Sequence, residues 1–322
     1  MVAGHASVSD VDVAIVAYRR WDLTRSCLSH LRAQTLPHRV QLCANGCDEG
    51  TAERVRREFP EVTVVAFGRN MPYPVACNAA VAAGEAELVV MMNNDVDARP
   101  DFLARLCAPF DANPRLGSAA SVLLTPGESR IDSVGLVADV TLAGFPRLQG
   151  RPPQSAGDPD PVLSGPAGAA AAFRRAAWNS VGGLDERIRA YGEDLDLALR
   201  LRAAGWSSTV ARDAIAVHVG GATFGRRSAG QRRRFGHSRG YLLRRYGVLG
   251  TRAGPRALLT ELLVCAGDLA LSRDLAAARG RLEGWTSARG LPRRTRPPEE
   301  AVDPRLSLRD AIALRRGSYR GA

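Results

Sequence analysis

Three carboxylates and one histidine are the groups best placed to do chemistry. Asp95 closes the apolar run in "ELVVMMNNDVDARPDFL" (87 to 103), directly after Asn93 and Asn94. Polar groups at the end of a buried strand need partners, which a capped turn or a ligand supplies. A hard divalent cation takes oxygen ligands, and Mg²⁺ typically uses one or two carboxylates plus substrate phosphates. One Asp flanked by amides suits that role; a cap for the helix in "PDFLARLCAPF" is the plainer alternative. Glu193 and Asp194 fall at the helix N-terminus in "YGEDLDLALRLRAAGW" (191 to 206), where the dipole favours carboxylates. Either they form a structural cluster, or one accepts a proton from an attacking hydroxyl. His218, in "AVHVGGATFG", follows an apolar strand, so a satisfied core histidine and a ligand are both open to it.

The elements that must position these groups alternate in type. "VDVAIVAY" (11 to 18) reads as a buried strand, and "LTRSCLSHLRAQ" (23 to 34) as a helix with Leu23, Cys27, Leu28 and Leu31 on one face. "VQLCA" (40 to 44) is a second strand, followed by the loop "NGCDEG" and the helix "TAERVRREF" with Thr51 as its cap. "VTVVAF" (62 to 67), the small-residue helix "YPVACNAAVAAG" and the strand "AELVVMMN" continue the series. Such alternation predicts a parallel sheet covered by helices, in which ligands bind beyond the carboxyl ends of the strands. Tyr18, Asn45, Asn70 and Asn93-Asn94-Asp95 all fall at those ends. Residues 125 to 161, rich in Gly, Pro and Asp, predict short strands and a mobile loop. The helix in 191 to 206 is apolar nearly all round and is expected to be buried, with Asp196 and Arg200 one turn apart and able to pair. Beyond 226 the pattern turns helical and Arg-rich, with Leu258, Leu262, Cys265 and Leu269 in one stripe.

Composition narrows the classes. A chain of 322 residues, 45% apolar, is long enough for one large domain or two moderate ones with a true core. Its start, "MVAGHASVSDVD", lacks the basic-then-apolar pattern of a secretory signal. No window approaches the ~18 uncharged apolar residues of a membrane span. Six cysteines without paired spacing argue for buried reduced thiols over zinc sites or disulfides. The net charge of +11 is unevenly spread: residues 220 to 322 hold 22 Arg against 8 acids, and residues 1 to 219 hold 22 Arg against 25 acids. The positive field of the last third suits an anionic partner, membrane phospholipid or nucleic acid.

Taken in order, "NGCDEGT", "RNMPYPVACN", "NNDV", "GGLDE", "GEDLDLALRLRAAGW" and the histidine resemble the family 2 glycosyltransferases of GT-A fold. The likeness is to bacterial rhamnosyl- and galactofuranosyltransferase-like members, and it covers residues 10 to 225. It implies a GT-A, Rossmann-like α/β fold: a mostly parallel mixed sheet flanked by helices. Residues 1–225 would be the catalytic domain and 226–322 an Arg-rich, mainly helical C-terminal region. "NNDV" takes the place of the family's DxD motif, which implies Asp95 as the acid that binds Mg²⁺ or Mn²⁺, with His218 completing the metal site. The literal "DVD" (95 to 97) also spells DxD, but the distance to Pro100-Asp101-Phe102 favours Asn93-Asn94-Asp95. "GED" matches the acidic pair Glu193 and Asp194, with Asp194 as the catalytic base. Nucleotide-sugar contacts are expected at Ala17, Tyr18, Asn45, Asn70, Asn78, Asn93 and Asn94. Two positions depart from the pattern: Ala44 stands where an Asp usually meets the base, and Pro72 where Gly is common.

The implied reaction is transfer of a sugar, with inversion, from a nucleotide-sugar donor to a hydroxyl of a glycan or lipid-linked acceptor. The expected setting is the cytoplasm, at the inner face of the plasma membrane, with the Arg-rich arm (226 to 247) and the amphipathic stripe after it resting on anionic lipid. A nucleotidyltransferase is a rival, but "AYRRWDLT" has no glycine to build a triphosphate loop. An inactive relative that only binds is another, favoured by Ala44 and Asn93. The run "RRSAGQRRRFGHSRGYLLRRYG" (226 to 247) could contact nucleic acid, yet it lacks a reading motif, and no nucleic acid is expected.

Overall fold

The structure, a computed structural model, describes residues 10–46, 50–220 and 228–315. Its first half is built from strand–helix units. Strand β1 (Val11–Ala17), buried at every position, leads to α1 (Trp21–Arg32), whose Cys27, Leu28 and Leu31 are buried. Then come β2 (Arg39–Asn45), α2 (Thr51–Glu58), β3 (Thr63–Phe67), α3 (Tyr73–Ala82) and β4 (Leu88–Asn93). Strands covered on both faces read as continuous apolar runs, as β1 and β4 do. Thr51 opens α2 but does not cap it; the preceding residue is left-handed Gly50. The other part of that loop, residues 47–49, lies outside the described residues.

The chain continues through β5 (Val96–Ala98), α4 (Phe102–Cys107), α5 (Pro109–Ala112), β6 (Leu116–Leu124), β7 (Ile131–Ser133), β8 (Leu136–Ala138) and β9 (Gly144–Pro146). After these come β10 (Ala170–Arg174), α6 (Arg175–Ser180), α7 (Glu193–Ala203) and β11 (Ser207–His218). Among the described residues one sheet runs β3-β2-β1-β4-β10-β6-β11-β5, with β7 on β6, while β8 and β9 pair with each other. It is a mixed, largely parallel sheet. β1 is parallel to β2 and β4, and β6 to β11; β10 is antiparallel to β4 and β6, and β5 to β11. The carboxyl ends of β1, β4, β6 and β11 therefore share an edge with the amino ends of β5, β7 and β10. Topology alone thus gathers Ala17, Asn93, Asp95, Asp132, Ala169 and His218 at one side of the sheet.

Apolar layers cover both faces. One contains Leu28, Val55 and Phe102 from α1, α2 and α4; the other contains Ala80, Trp178 and Leu197 from α3, α6 and α7. Helix α7 is buried on most sides, and Arg200 Nε donates to Asp196 Oδ2 at 2.8 Å. Residues 125–161 do contain short strands, but the loop between them is packed rather than loose. Val134, Val137, Leu142 and Leu148 are buried, and Asp139 Oδ1 accepts the N–H groups of Thr141 and Ala143. That buried polar pin compensates the Gly- and Pro-rich composition.

Four helices follow: α8 (Ala229–Arg245), α9 (Gly254–Ser272), α10 (Ala276–Ser287) and α11 (Leu308–Arg315). α8 and α10 meet backbone to backbone, because a Cβ on Gly240 would collide with the Arg281 carbonyl and one on Gly284 with the His237 carbonyl. Tyr241 and Leu242 share a core with Leu195 and Leu199 of α7, and Tyr246 Oη donates to Asp196 Oδ1 at 3.2 Å. The C-terminal helices therefore brace the element that carries Glu193 and Asp194. The boundary expected after residue 225 falls within 221–227, outside the described residues.

Candidate active site

Asp95 occupies the turn between β4 and β5, where its carbonyl accepts the Val219 N–H at 3.0 Å. Its side chain is nearly buried; Oδ2 accepts the Gly220 N–H at 3.2 Å, and Oδ1 lies 3.3 Å from His218 Nε2. The other ring nitrogen, Nδ1, is 2.8 Å from Asp132 Oδ2 on β7. Burial alone would lower the His218 pKa, but hydrogen bonds with Asp132 and Asp95 outweigh it and push it up to about 10. The ring is thus a cation held between two carboxylates. Asp97, the other acid of "DVD", turns to α1 and accepts from Ser26 Oγ at 2.8 Å.

The same pair fits a divalent cation. Adjacent ligands at ~2.1 Å on an octahedral ion stand about 3 Å apart, close to the 3.3 Å between Asp95 Oδ1 and His218 Nε2. Asp132 would then orient the ring through Nδ1, as carboxylates commonly do for metal-bound histidines. Among the described residues no group of three or more His, Cys, Asp or Glu side chains is arranged to hold a metal. A cation here needs further oxygens, and a diphosphate offers them.

Asp194 reaches the same edge from α7. Tyr191 (φ 66°) and Gly192 (φ 93°), both left-handed, turn the chain into the helix. Tyr191 holds this strained conformation with its ring stacked on Phe235 at 4.2 Å. Asp194 Oδ1 accepts the Leu195 N–H at 2.8 Å, and Oδ2 accepts the Gly168 N–H at 3.0 Å. The next residue, Ala169, accepts the Asn93 N–H at 2.8 Å. One dipeptide therefore joins the acid to the strand end beside Asp95. Tyr73 lies in the same group: its hydroxyl donates to Asn93 Oδ1 at 3.0 Å. Burial first, then the charges of Cys77, Glu193, Asp194 and Asp95, raise the Tyr73 pKa.

Burial raises the pKa of Asp194, and burial together with the Asp194 charge raises that of Glu193. The two cannot both be ionised cheaply. The charge belongs on Asp194, whose oxygens receive two backbone N–H groups, and the proton on Glu193, whose Oε2 is buried without a hydrogen-bond partner among the described residues. A carboxylate with a raised pKa is a better proton acceptor near neutral pH.

The remaining candidates divide into two sets. Ala17 ends β1 and Tyr18 follows it, beside Asn93, which pairs with Val16 in register, and Arg19 lies over the Tyr18 ring at 5.1 Å. Asn94 Nδ2 donates to Thr24 Oγ1 at 2.8 Å. Asn45 and Asn78 spend both the oxygen and the nitrogen of their amides on the backbone. Asn45 bonds the Met71 N–H and carbonyl at 2.8 and 3.0 Å, and Asn78 bonds those of Leu184 at 3.0 and 2.9 Å. They shape the 69–72 loop and the "GGLDE" turn. Asn70 is exposed, with its backbone so close to Gly46 that a Cβ there would collide with it. Sequence reasoning missed Asp132, which is 86 residues from His218 in a segment without local pattern. It also missed Tyr73, whose signal was a lone phenol opening a helix of small apolar residues.

The fold is that of a GT-A glycosyltransferase, and a family model identifies the family. Residues 9–236 match the family described as "Glycosyltransferase like family 2", and the chain belongs to it. An N-acetylglucosaminyl-diphospho-decaprenol L-rhamnosyltransferase of Mycobacterium tuberculosis is 29% identical over 218 residues, 61% of this chain and 71% of the relative. The O-antigen biosynthesis protein RfbC of Myxococcus xanthus is 29% identical over 216 residues, 61% of this chain but 16% of that protein. Among solved structures, the mannosyltransferase PcManGT from Pyrobaculum calidifontis, in complex with GDP-Man and Mn²⁺, superposes with a TM-score of 0.54 at 19% identity, covering 95% of this chain and 85% of the other. GalNAc-T7 with UDP, GalNAc and Mn²⁺ gives 0.58 at 12% identity, covering 84% and 59%. At those identities the likeness is one of fold.

Proposed function

We propose that this glycosyltransferase is inverting and uses Mg²⁺ or Mn²⁺, moving a sugar from a nucleotide-sugar donor to the hydroxyl of a glycan or lipid-linked acceptor. The observation that carries the reading is the Gly168-Ala169 link, which joins the backbone-anchored Asp194 to the strand end beside Asp95. Asp95 and His218 hold the metal, with Asp132 fixing the ring. When bound, the cation supplies positive charge against the departing diphosphate. Asp194 takes the proton of the acceptor hydroxyl, and Glu193 stays protonated beside it. Ala17, Tyr18, Asn93 and Asn94 border the donor side; Asn45, Asn70 and Asn78 act by shaping its loops. Residues 1–225 form the catalytic unit and 226–322 its helical support.

The name of the mycobacterial relative supports a lipid-linked acceptor and a place in bacterial cell-wall or polysaccharide synthesis. The setting we propose is cytoplasmic, peripheral at the inner face of the plasma membrane. Among the described residues no helix is long and apolar enough to cross a membrane.

Calorimetry with UDP, GDP and dTDP, with and without Mn²⁺, tests the metal assignment. The wild type should bind one of them in a metal-dependent way. Asp95→Ala should weaken that binding by about tenfold or more. Unchanged affinity would remove Asp95 from the metal site.

A further inference from the structure

Helix α9 is folded inside out. Its polar residues Thr260 and Glu261 are buried, while Leu258, Leu259, Leu262, Leu263, Leu269 and Leu271 are between 45% and 82% exposed. Glu261 is turned inward onto three guanidiniums, with Arg239 and Arg281 at 2.7 Å and Arg315 at 3.3 Å. A helix on a water-facing surface normally shows the opposite pattern, with the apolar stripe inward. An exposed apolar face of this extent marks a surface that something covers.

Charge identifies the occupant. The two acids within 258–271, buried Glu261 and half-buried Asp268, lie on the side of the helix away from Leu259, Leu262 and Leu263, and Arg252 and Arg273, exposed and without an ion pair among the described residues, stand at the two ends of the helix. Residues 220–322 carry 22 Arg against 8 acids. A second copy laid on this face would oppose two strongly positive surfaces, whereas an anionic bilayer complements one. The Arg run of α8 is not the contact. Arg232, Arg233 and Arg239 are engaged by Asp274, Glu283 and Glu261 inside the helical region.

We propose that α9 lies flat on an anionic phospholipid surface, its leucines in the acyl boundary and Arg252 and Arg273 among the headgroups. Nineteen residues give a contact about 28 Å long, on the membrane and not through it. The inference builds on the lipid-linked acceptor proposed above, but its test is separate.

Full-length protein is floated with vesicles of phosphatidylcholine alone or with 30% phosphatidylglycerol added, the composition being about that of an anionic leaflet. The wild type should rise with the anionic vesicles. Leu262→Glu/Leu263→Glu should reduce partitioning by roughly tenfold or more, and Arg252→Gln/Arg273→Gln should erase the preference for anionic lipid while leaving residual binding. Leu258→Ser, on the same face as Leu262 and 53% exposed, repeats the test should the double variant fail to fold. No flotation of the wild type, or equal flotation of the leucine variants, overturns the proposal. So does a wild-type dimer by light scattering that the leucine variant turns into a monomer, since the face would then be a self-interface. Metal-dependent nucleotide binding without vesicles should be the same in all variants. Its loss in the wild type would sink the enzymatic mechanism and leave the docking result standing.

Discussion

Two regions of this molecule bury carboxylates and treat them in opposite ways. In the C-terminal helices Glu261 is surrounded by Arg239, Arg281 and Arg315. Burial alone would raise its pKa, yet the three guanidiniums override that and hold it at about 2. At the sheet edge Glu193 and Asp194 have no guanidinium beside them among the described residues; backbone N–H groups and each other are their company, and burial raises both. Asp196, two residues along the same helix as Asp194, is of the first kind, paired with Arg200 and bonded by Tyr246. Arginines neutralise the buried acids that brace the helices, Glu261 and Asp196. In the mechanism we propose, the acids without them, Glu193 and Asp194, are kept for a proton or a ligand.

Breaking the functional side of this contrast should have the largest effect. Asp194→Asn should lower turnover by about 10²–10⁴-fold while leaving metal-dependent nucleotide affinity near that of the wild type. Transfer assays with a panel of nucleotide sugars, beside calorimetry, check both halves; wild-type turnover would show that Asp194 is not the base. On the structural side, Glu261→Gln should cost about 3 kcal/mol at pH 7, read by denaturant unfolding. The folded-state pKa of Glu261 is depressed, so its contribution is present above the unfolded value near ~4.3 and is lost as pH falls through about 2. The gap between wild type and variant should therefore narrow in unfolding curves taken at about pH 3. A constant gap would mean that packing, not charge, holds Glu261.

Asp132→Asn sharpens the contrast from a position between the two kinds, since this acid has a cationic partner but one that also faces Asp95. It should weaken metal-dependent nucleotide binding by about 10–100-fold with little change in unfolding midpoint. A large loss of stability with unchanged binding would move Asp132 to the structural set.

Much of this was legible in the chain. The alternation of apolar runs with helical patterns marked the parallel half of the sheet, because a strand covered on both faces has to be apolar throughout. The polar residues at its strand ends then marked the edge where we propose that ligands bind. Asp95, the Glu193–Asp194 pair and His218 were candidates on residue type and local context, and the family resemblance supplied their expected roles. The Asp196–Arg200 pair followed from helical spacing.

Other features had no local signature. The partnership of Asp132 with His218 depends on β7 and β11 both lying against β6, a register that no window of sequence encodes. Asn45 and Asn78 looked like ligand-facing amides, and only the packed loops showed that Met71 and Leu184 take them. The leucines of α9 formed a stripe in the sequence, but which way the stripe points was decided by Glu261 and its three arginines. Local pattern determines which elements form and where polar groups fall along them, since propensity and periodicity act over a few residues. Which charges meet, and which are left unpaired, is settled by contacts between segments tens of residues apart, and that belongs to the tertiary structure alone.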